Sequence, residues 1–272
     1  MSWLEAAVLG LVQGLTEFLP ISSTAHIRIV SELFGWRDPG AAFTAVTQLG
    51  TESAVILYFR RDIAHIVRTW ALSLVKPELR GELDARMGWY VILGTLPIGI
   101  LGFTFRDAIE GPARNLWLIA TMLVVFGLFF GVVDAQARNV VPLERLSMRD
   151  SLIYGLAQSM ALIPGVSRSG GTISAGLLMG YRREAAARYS FLLAIPAVVI
   201  SGLFELRKIG EGAPVDWGPT ILATVIAFVV GLTVIVYFLR YVATHTFRIF
   251  IVYRIALGLM ILTLLTAGVI DS

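Results

Sequence analysis

Residues 10–26 read Gly10-Leu-Val-Gln13-Gly-Leu-Thr-Glu17-Phe-Leu-Pro20-Ile-Ser22-Ser23-Thr24-Ala-His26. Residues 155–172 read Gly155-Leu-Ala-Gln158-Ser-Met-Ala-Leu-Ile-Pro164-Gly165-Val-Ser167-Arg168-Ser169-Gly-Gly-Thr172. Both run Gly, Leu, a small residue and Gln, then a short apolar stretch, a Pro and a pair of Ser residues. Each is a polar, Pro-broken island in apolar chain. Ionisable groups at membrane depth cost roughly 2.5–3.5 kcal/mol each on insertion scales, so Glu17, His26 and Arg168 imply a task.

The surrounding composition sets the class. Hydrophobic residues make up 57% and charged residues 15% of the chain, against roughly 45–50% and 25% in soluble domains. Several runs reach the ~20 apolar residues that cross a bilayer. The chain therefore reads as an all-α polytopic membrane protein, one membrane domain over 1–272. A net charge of +3 is ordinary when loops carry Lys and Arg, and gives no reason to expect nucleic acid. With no Cys, disulfides, thiolate catalysis and Cys-ligated metal are excluded. No cleavable signal peptide is expected, because the first apolar segment lacks a basic leader and carries Gln13 and Glu17.

Six full spans are expected, at 41–59, 85–105, 115–134, 184–208, 217–240 and 248–270. The polar segments, 3–35 and 149–181, are too interrupted for one clean crossing. Pro20 and Pro164 lack the amide donor and clash one turn back, so each segment is expected to form a re-entrant hairpin. Broken backbone at that depth must be buried in protein or line a wet cavity. Residues 3–134 then form a hairpin plus three spans, and 149–270 repeat the pattern. Three spans reverse the side, so the second repeat is inverted and a site is expected where the two breaks meet.

Fourteen cations fall on one side of this topology: Arg60, Arg61, Arg68, Lys76, Arg80, Arg86, Arg138, Arg145, Arg149, Arg182, Arg183, Arg188, Arg240 and Arg248. Six fall on the other: Arg28, Arg37, Arg106, Arg114, Arg207 and Lys208. The first set is assigned to the cytoplasm. Both termini and the mouth of the first hairpin are then extracytoplasmic.

Gln13 and Glu17 are four apart and share a helix face. Ser22 and Ser23 follow the break, where Ser is a favoured N-cap, and their spacing from His26 brings a hydroxyl near the imidazole. Two returning helices start near midplane, and helix N-termini attract anions. Arg168 adds a planar fork for phosphate oxygens; Ser22, Thr24, Ser167, Ser169 and Thr172 add hydroxyls. Glu17 and His26 supply proton transfer. A phosphate or diphosphate ligand and phosphoryl transfer are the expected chemistry.

The two motifs, 13–26 and 164–172, resemble the signatures of the bacitracin-resistance undecaprenyl-diphosphatases, and the resemblance extends over the chain. It implies hydrolysis of undecaprenyl diphosphate to the monophosphate carrier for cell-wall synthesis, at the outer face of the cytoplasmic membrane, with bacitracin resistance as a consequence. It also implies that Gln13 and Glu17 match the family's acidic or amide pair. Ser22 and Ser23 match its seryl pair, His26 its histidine and Arg168 its arginine. Gln13 stands where many members carry a second Glu, and Ala25 where Gly is frequent. Ser23 is the expected nucleophile, with Ser22 and His26 as alternatives and Glu17 or His26 as base. A divalent cation, Mg²⁺ or Ca²⁺, is expected on Glu17 with Gln13 as a second ligand. The lipid diphosphate is the expected partner, and a homodimer is left open.

The competing function is an inverted-repeat transporter or flippase of a polyprenyl phosphate, which needs an anion clamp but no base or nucleophile. The motifs of the other common membrane lipid phosphatases are not matched. Gln48 and Glu52 lie four apart in the first span, and Glu52 is assigned to the cavity wall or to an ion pair with Arg254. Arg254 is otherwise expected to snorkel. His65 and His245 read as solvated loop residues. Trp70, Trp89, Trp117 and Trp217 read as interfacial anchors.

Overall fold

A computed structural model describes residues 1–105, 115–208 and 216–271. The described residues form eleven α-helices: α1 (Trp3–Thr16), α2 (Ser23–Leu33), α3 (Gly40–Tyr58), α4 (Arg60–Val75), α5 (Leu83–Thr104), α6 (Leu116–Gln136), α7 (Met148–Ser159), α8 (Arg168–Leu178), α9 (Arg183–Lys208), α10 (Trp217–Thr244) and α11 (Arg248–Thr266). Arg106 and Arg114 lie outside the described residues, as do the side chains of Arg207 and Lys208.

The two broken segments are both helix, break, helix. α1 opens with a capping box, Ser2 Oγ accepting from the Glu5 amide and Glu5 accepting from the Ser2 amide. It stops at Thr16, the carbonyl with which the ring of Pro20 would collide four residues later. α7 stops at Ser159, and a 3₁₀ turn over Met160–Leu162 leads to Pro164. The returning helices are capped alike. Ser22 Oγ accepts from the Ala25 amide and Ser167 Oγ from the Gly170 amide. Ser23 and Arg168, which open α2 and α8, stand 145 positions apart, as do Leu33 and Leu178, which close them.

Five described helices are long and apolar enough to cross a membrane: α5, α6, α9 (its Arg183–Phe204 part), α10 and α11. The chain is a multi-pass membrane protein. The expected span at 41–59 is helix α3, but Thr44, Thr47, Gln48, Thr51, Glu52 and Ser53 deprive it of that apolar character. The reason is its position: α3 packs between α9 and α10, and Thr47, Thr51 and Glu52 are buried. The cationic stretch after it is not a plain loop, because α4 follows α3 almost without interruption. Trp70 of α4 meets Trp89 of α5 edge to face at 5.6 Å, so these two rings pack on each other.

The entering helices cross between the halves. α1 packs on α10, and α7 on α5. A Cβ at Gly10 would lie 2.5 Å from the Ala223 carbonyl, and one at Gly155 would lie 2.2 Å from the Gly94 carbonyl. Without a hydrophobic drive between helices in lipid, this backbone-on-backbone approach supplies the dispersion contacts that hold them. The interior is aromatic: Phe18, Phe126, Phe130, Tyr154, Tyr189, Phe191 and Phe238 are all buried in one cluster. At its far end Asp134 accepts from Arg183 Nε at 2.7 Å and from the Phe247 amide at 3.0 Å, tying α6, α9 and α11.

Candidate active site

Glu17 stands in the first break with its side chain almost wholly enclosed, and three groups converge on it. Gln13 Nε2 donates to Oε2 at 2.7 Å, as the four-residue spacing on α1 requires. Ser23 Oγ donates to the same oxygen at 2.5 Å, the short range of a charge-assisted bond. Arg168, from the second break, ion-pairs with Oε1. The carboxylate therefore joins two segments more than a hundred residues apart. A buried ion pair offsets its desolvation only when hydrogen bonds fill the remaining lone pairs, and Gln13 and Ser23 provide them.

A cavity of about 440 Å³ opens beside this pair. Glu17, Ser22, Ser23, Thr24, Ser167 and Arg168 form its polar end, together with Gln48 and Thr95. Its remaining walls include Ile98, Gly102 and Phe103 of α5 and Ala197, Ile200 and Phe204 of α9. α2 and α8 both begin at the polar end. Their first amides have no intrahelical acceptor, and each terminus carries roughly half a positive charge. Two helix N-termini and a guanidinium beside an apolar arm can chemically accommodate an anion that carries an apolar chain.

Ser22 and Ser167, the two N-caps, have φ of 72° and 77°. A non-glycine residue in that region costs about 1–3 kcal/mol and persists only where its surroundings over-determine it.

Four candidate residues do not line the cavity. Gln13 lies behind Glu17, its Oε1 buried without a hydrogen-bond partner. His26 leans back along α2: Nδ1 meets the Ser22 carbonyl at 2.8 Å and Nε2 the Tyr253 hydroxyl at 2.9 Å. The spacing does bring it to Ser22, but to the backbone oxygen instead of the hydroxyl. Helix side chains tilt toward the N-terminus, and that carbonyl lies one turn below. Ser169 Oγ donates to the Leu19 carbonyl at 3.1 Å, joining the second break to the first. Thr172 is buried against the Ser190 hydroxyl and bonds the Arg168 carbonyl at 2.9 Å.

Glu52 and Arg254 are not partners. Glu52 shares a separate, water-sized void with Glu17, Arg168, Ser169 and Ser190, and its Oε1 has no hydrogen-bond partner. Arg254 does not snorkel. It is fully buried, and all its hydrogen-bond acceptors are backbone carbonyls. A lone Arg inside an apolar run was the available signal for it. The apolar arm had none, since its residues look like any lipid-facing Leu, Ile or Phe.

The family model described as Bacitracin resistance protein BacA matches residues 6–260. Undecaprenyl-diphosphatase 3 of Frankia alni is 61% identical over 290 residues, covering 100% of this chain and 98% of the relative. Undecaprenyl-diphosphatase 2 of Streptomyces coelicolor is 57% identical over 283 residues, covering 100% and 97%. The undecaprenyl-diphosphatase of Nocardioides sp. is 58% identical over 273 residues, covering 100% of both.

Proposed function

This chain belongs to the bacitracin resistance protein BacA family, and on that premise we propose that it hydrolyses undecaprenyl diphosphate to undecaprenyl phosphate and inorganic phosphate. That activity regenerates a lipid carrier for cell-wall synthesis and confers bacitracin resistance. The observation that carries the reading is Glu17, bonded at once to the Ser23 hydroxyl of one break and the Arg168 guanidinium of the other.

The substrate diphosphate enters the polar end and its prenyl chain lies along the apolar arm. Its charge draws Arg168 off Glu17 onto phosphate oxygens, where a planar fork binds two at once. The amides opening α2 and α8, with the Ser22, Thr24 and Ser167 hydroxyls, hold the remaining oxygens. Ser23 Oγ attacks the terminal phosphorus and Glu17 takes its proton. The bond to the bridging oxygen breaks, and Glu17 passes the proton to that oxygen as undecaprenyl phosphate leaves. Water then attacks the phosphoserine, losing a proton to Glu17, which returns it to Ser23 Oγ as phosphate departs. Stabilising charge on the transferring phosphoryl is the main task. Ser169, Thr172 and His26 act behind this set, holding Leu19, Arg168 and Ser22 through their carbonyls.

A divalent cation, Mg²⁺ or Ca²⁺, would find one carboxylate at the cavity, that of Glu17, with Gln13 behind it and not lining the cavity. Once bound beside the diphosphate, such an ion would neutralise phosphate charge.

The finer architecture belongs to the same reading. Residues 3–134 and 149–270 form inverted repeats, with six crossings and two re-entrant hairpins. Supporting this are the shared 145-residue offset between α2 and α8 and the reciprocal packing of α1 on α10 and α7 on α5. Charge in the connections orients the first hairpin, and with it the cavity, to the outer side of the cytoplasmic membrane. A flippase of a polyprenyl phosphate needs the anion clamp alone; the Glu17–Ser23 bond is the feature it does not require.

Single turnover with terminally ³²P-labelled undecaprenyl diphosphate tests the reaction. Labelled phosphate is expected in solution, and an acid quench should trap label on Ser23. Release without protein-bound label would assign the attack to water, and no release at all would end the phosphatase reading.

A further inference from the structure

Arg254 lies on α11, outside both motifs, yet its guanidinium touches both breaks. Nη1 donates to the Pro20 carbonyl at 3.0 Å. Nη2 donates to the Gly165 carbonyl at 2.6 Å and to that of Val166 at 3.2 Å. Nε donates to the Leu123 carbonyl of α6 at 3.2 Å, and the guanidinium carbon sits 5.1 Å from the Phe126 ring centroid. Among the described residues no carboxylate pairs with it. A buried guanidinium without a counter-ion is costly unless its donors are filled, and here carbonyl dipoles and a ring face fill that role.

The carbonyls it grips are placed with consequence. Pro20 precedes Ser22 by two residues, and Gly165 and Val166 immediately precede Ser167. Ser22 and Ser167 are the two left-handed N-caps, whose conformation needs external support. Directly after them come Ser23 and Arg168, which meet on Glu17. Hence one rigid fork sets the separation of the two breaks just upstream of the proposed nucleophile and the proposed phosphate clamp. We propose that Arg254 is a positioning residue for the phosphatase reaction: it holds the two helix breaks in the register that aims Ser23 and Arg168 at the same phosphoryl group. This rests on the reading of those two residues given above.

A planar fork with donors on three nitrogens can span carbonyls from three segments; an ammonium on one atom cannot. Arg254→Lys keeps the charge and loses the span. In detergent, with undecaprenyl diphosphate, its kcat should fall about 100-fold, the order expected for an ångström of misplacement. KM should stay within about threefold, because the anion-binding groups remain. Asp134→Asn, which loosens α6, α9 and α11 away from the site, serves as a stability control, with thermal unfolding measured for both. The proposal is overturned if Arg254→Lys turns over like wild type, or if its kcat drops no further than that of Asp134→Asn. If Arg254→Lys does not fold, Arg254→Gln replaces it; if neither yields folded protein, Arg254 is simply structural and the proposal fails. Wild type and Ser23→Ala run alongside: inactive wild type removes the phosphatase reading itself, whereas active wild type with active Arg254→Lys removes only the positioning role.

Discussion

The carboxylate of Glu17 does two things that usually conflict. It neutralises Arg168 in the resting protein and accepts a proton from Ser23 in the proposed reaction. In that reaction the substrate would resolve the conflict by offering Arg168 a better anion, which would make the ion pair a resting state. Glu17→Gln removes the charge on which both roles depend. The amide retains an oxygen for Ser23 but cannot take its proton. Turnover should fall by about 100-fold or more, the low end of what a positioned base contributes, and fluorescence-monitored unfolding should shift to lower temperature, because Arg168 loses its partner. Unchanged turnover in Glu17→Gln would move the base elsewhere. At this scale much was legible. A Glu, two Ser and an Arg beside Pro in apolar chain have few structural uses. His26 was legible only as a neighbour of Ser22, since spacing along a helix cannot say whether the partner is a hydroxyl or a carbonyl. Arg254 was visible but misassigned, because an Arg near a span end looks the same whether it reaches for water or for buried carbonyls.

Among the elements, the breaks followed directly from Pro20 and Pro164, and each helix stops about one turn before its Pro. The full span expected at 41–59 is the polar helix α3, and the explanation is tertiary: α9 and α10 shield it. α4 was hidden by its cations, which mark a connection between spans equally well as helix or coil. The close crossings of α1 on α10 and α7 on α5 also required the structure, since a Gly in an apolar run has many meanings. They carry a prediction. Gly155→Val would drive a side chain into the Gly94 backbone, and overpacking of this kind costs about 1–3 kcal/mol. The thermal midpoint in detergent should drop, whereas Gly81→Ala, with open space around it, should leave it unmoved. Equal midpoints would show that α7 can move off α5 at no cost.

Taken as a whole, the molecule would, on the proposed mechanism, divide one reaction between two related halves. The offset that aligns Ser22 with Ser167 also places Ser23 opposite Arg168 and Glu17 opposite Leu162. In the proposed reaction the two segments thus share a scaffold but not a chemistry: the first break would bring base and nucleophile, the second the charge clamp. The cavity between α5 and α9 gives the lipid an apolar path to both. The sharpest test of this division is steady-state phosphate release from undecaprenyl diphosphate by purified wild type, Ser23→Ala and Arg168→Ala, assayed with and without divalent cation. Wild type should release phosphate, and each variant should lose about 1,000-fold, the upper range for removing one such stabilising group. If either variant retains wild-type turnover, one break alone suffices, and the shared site proposed here is wrong.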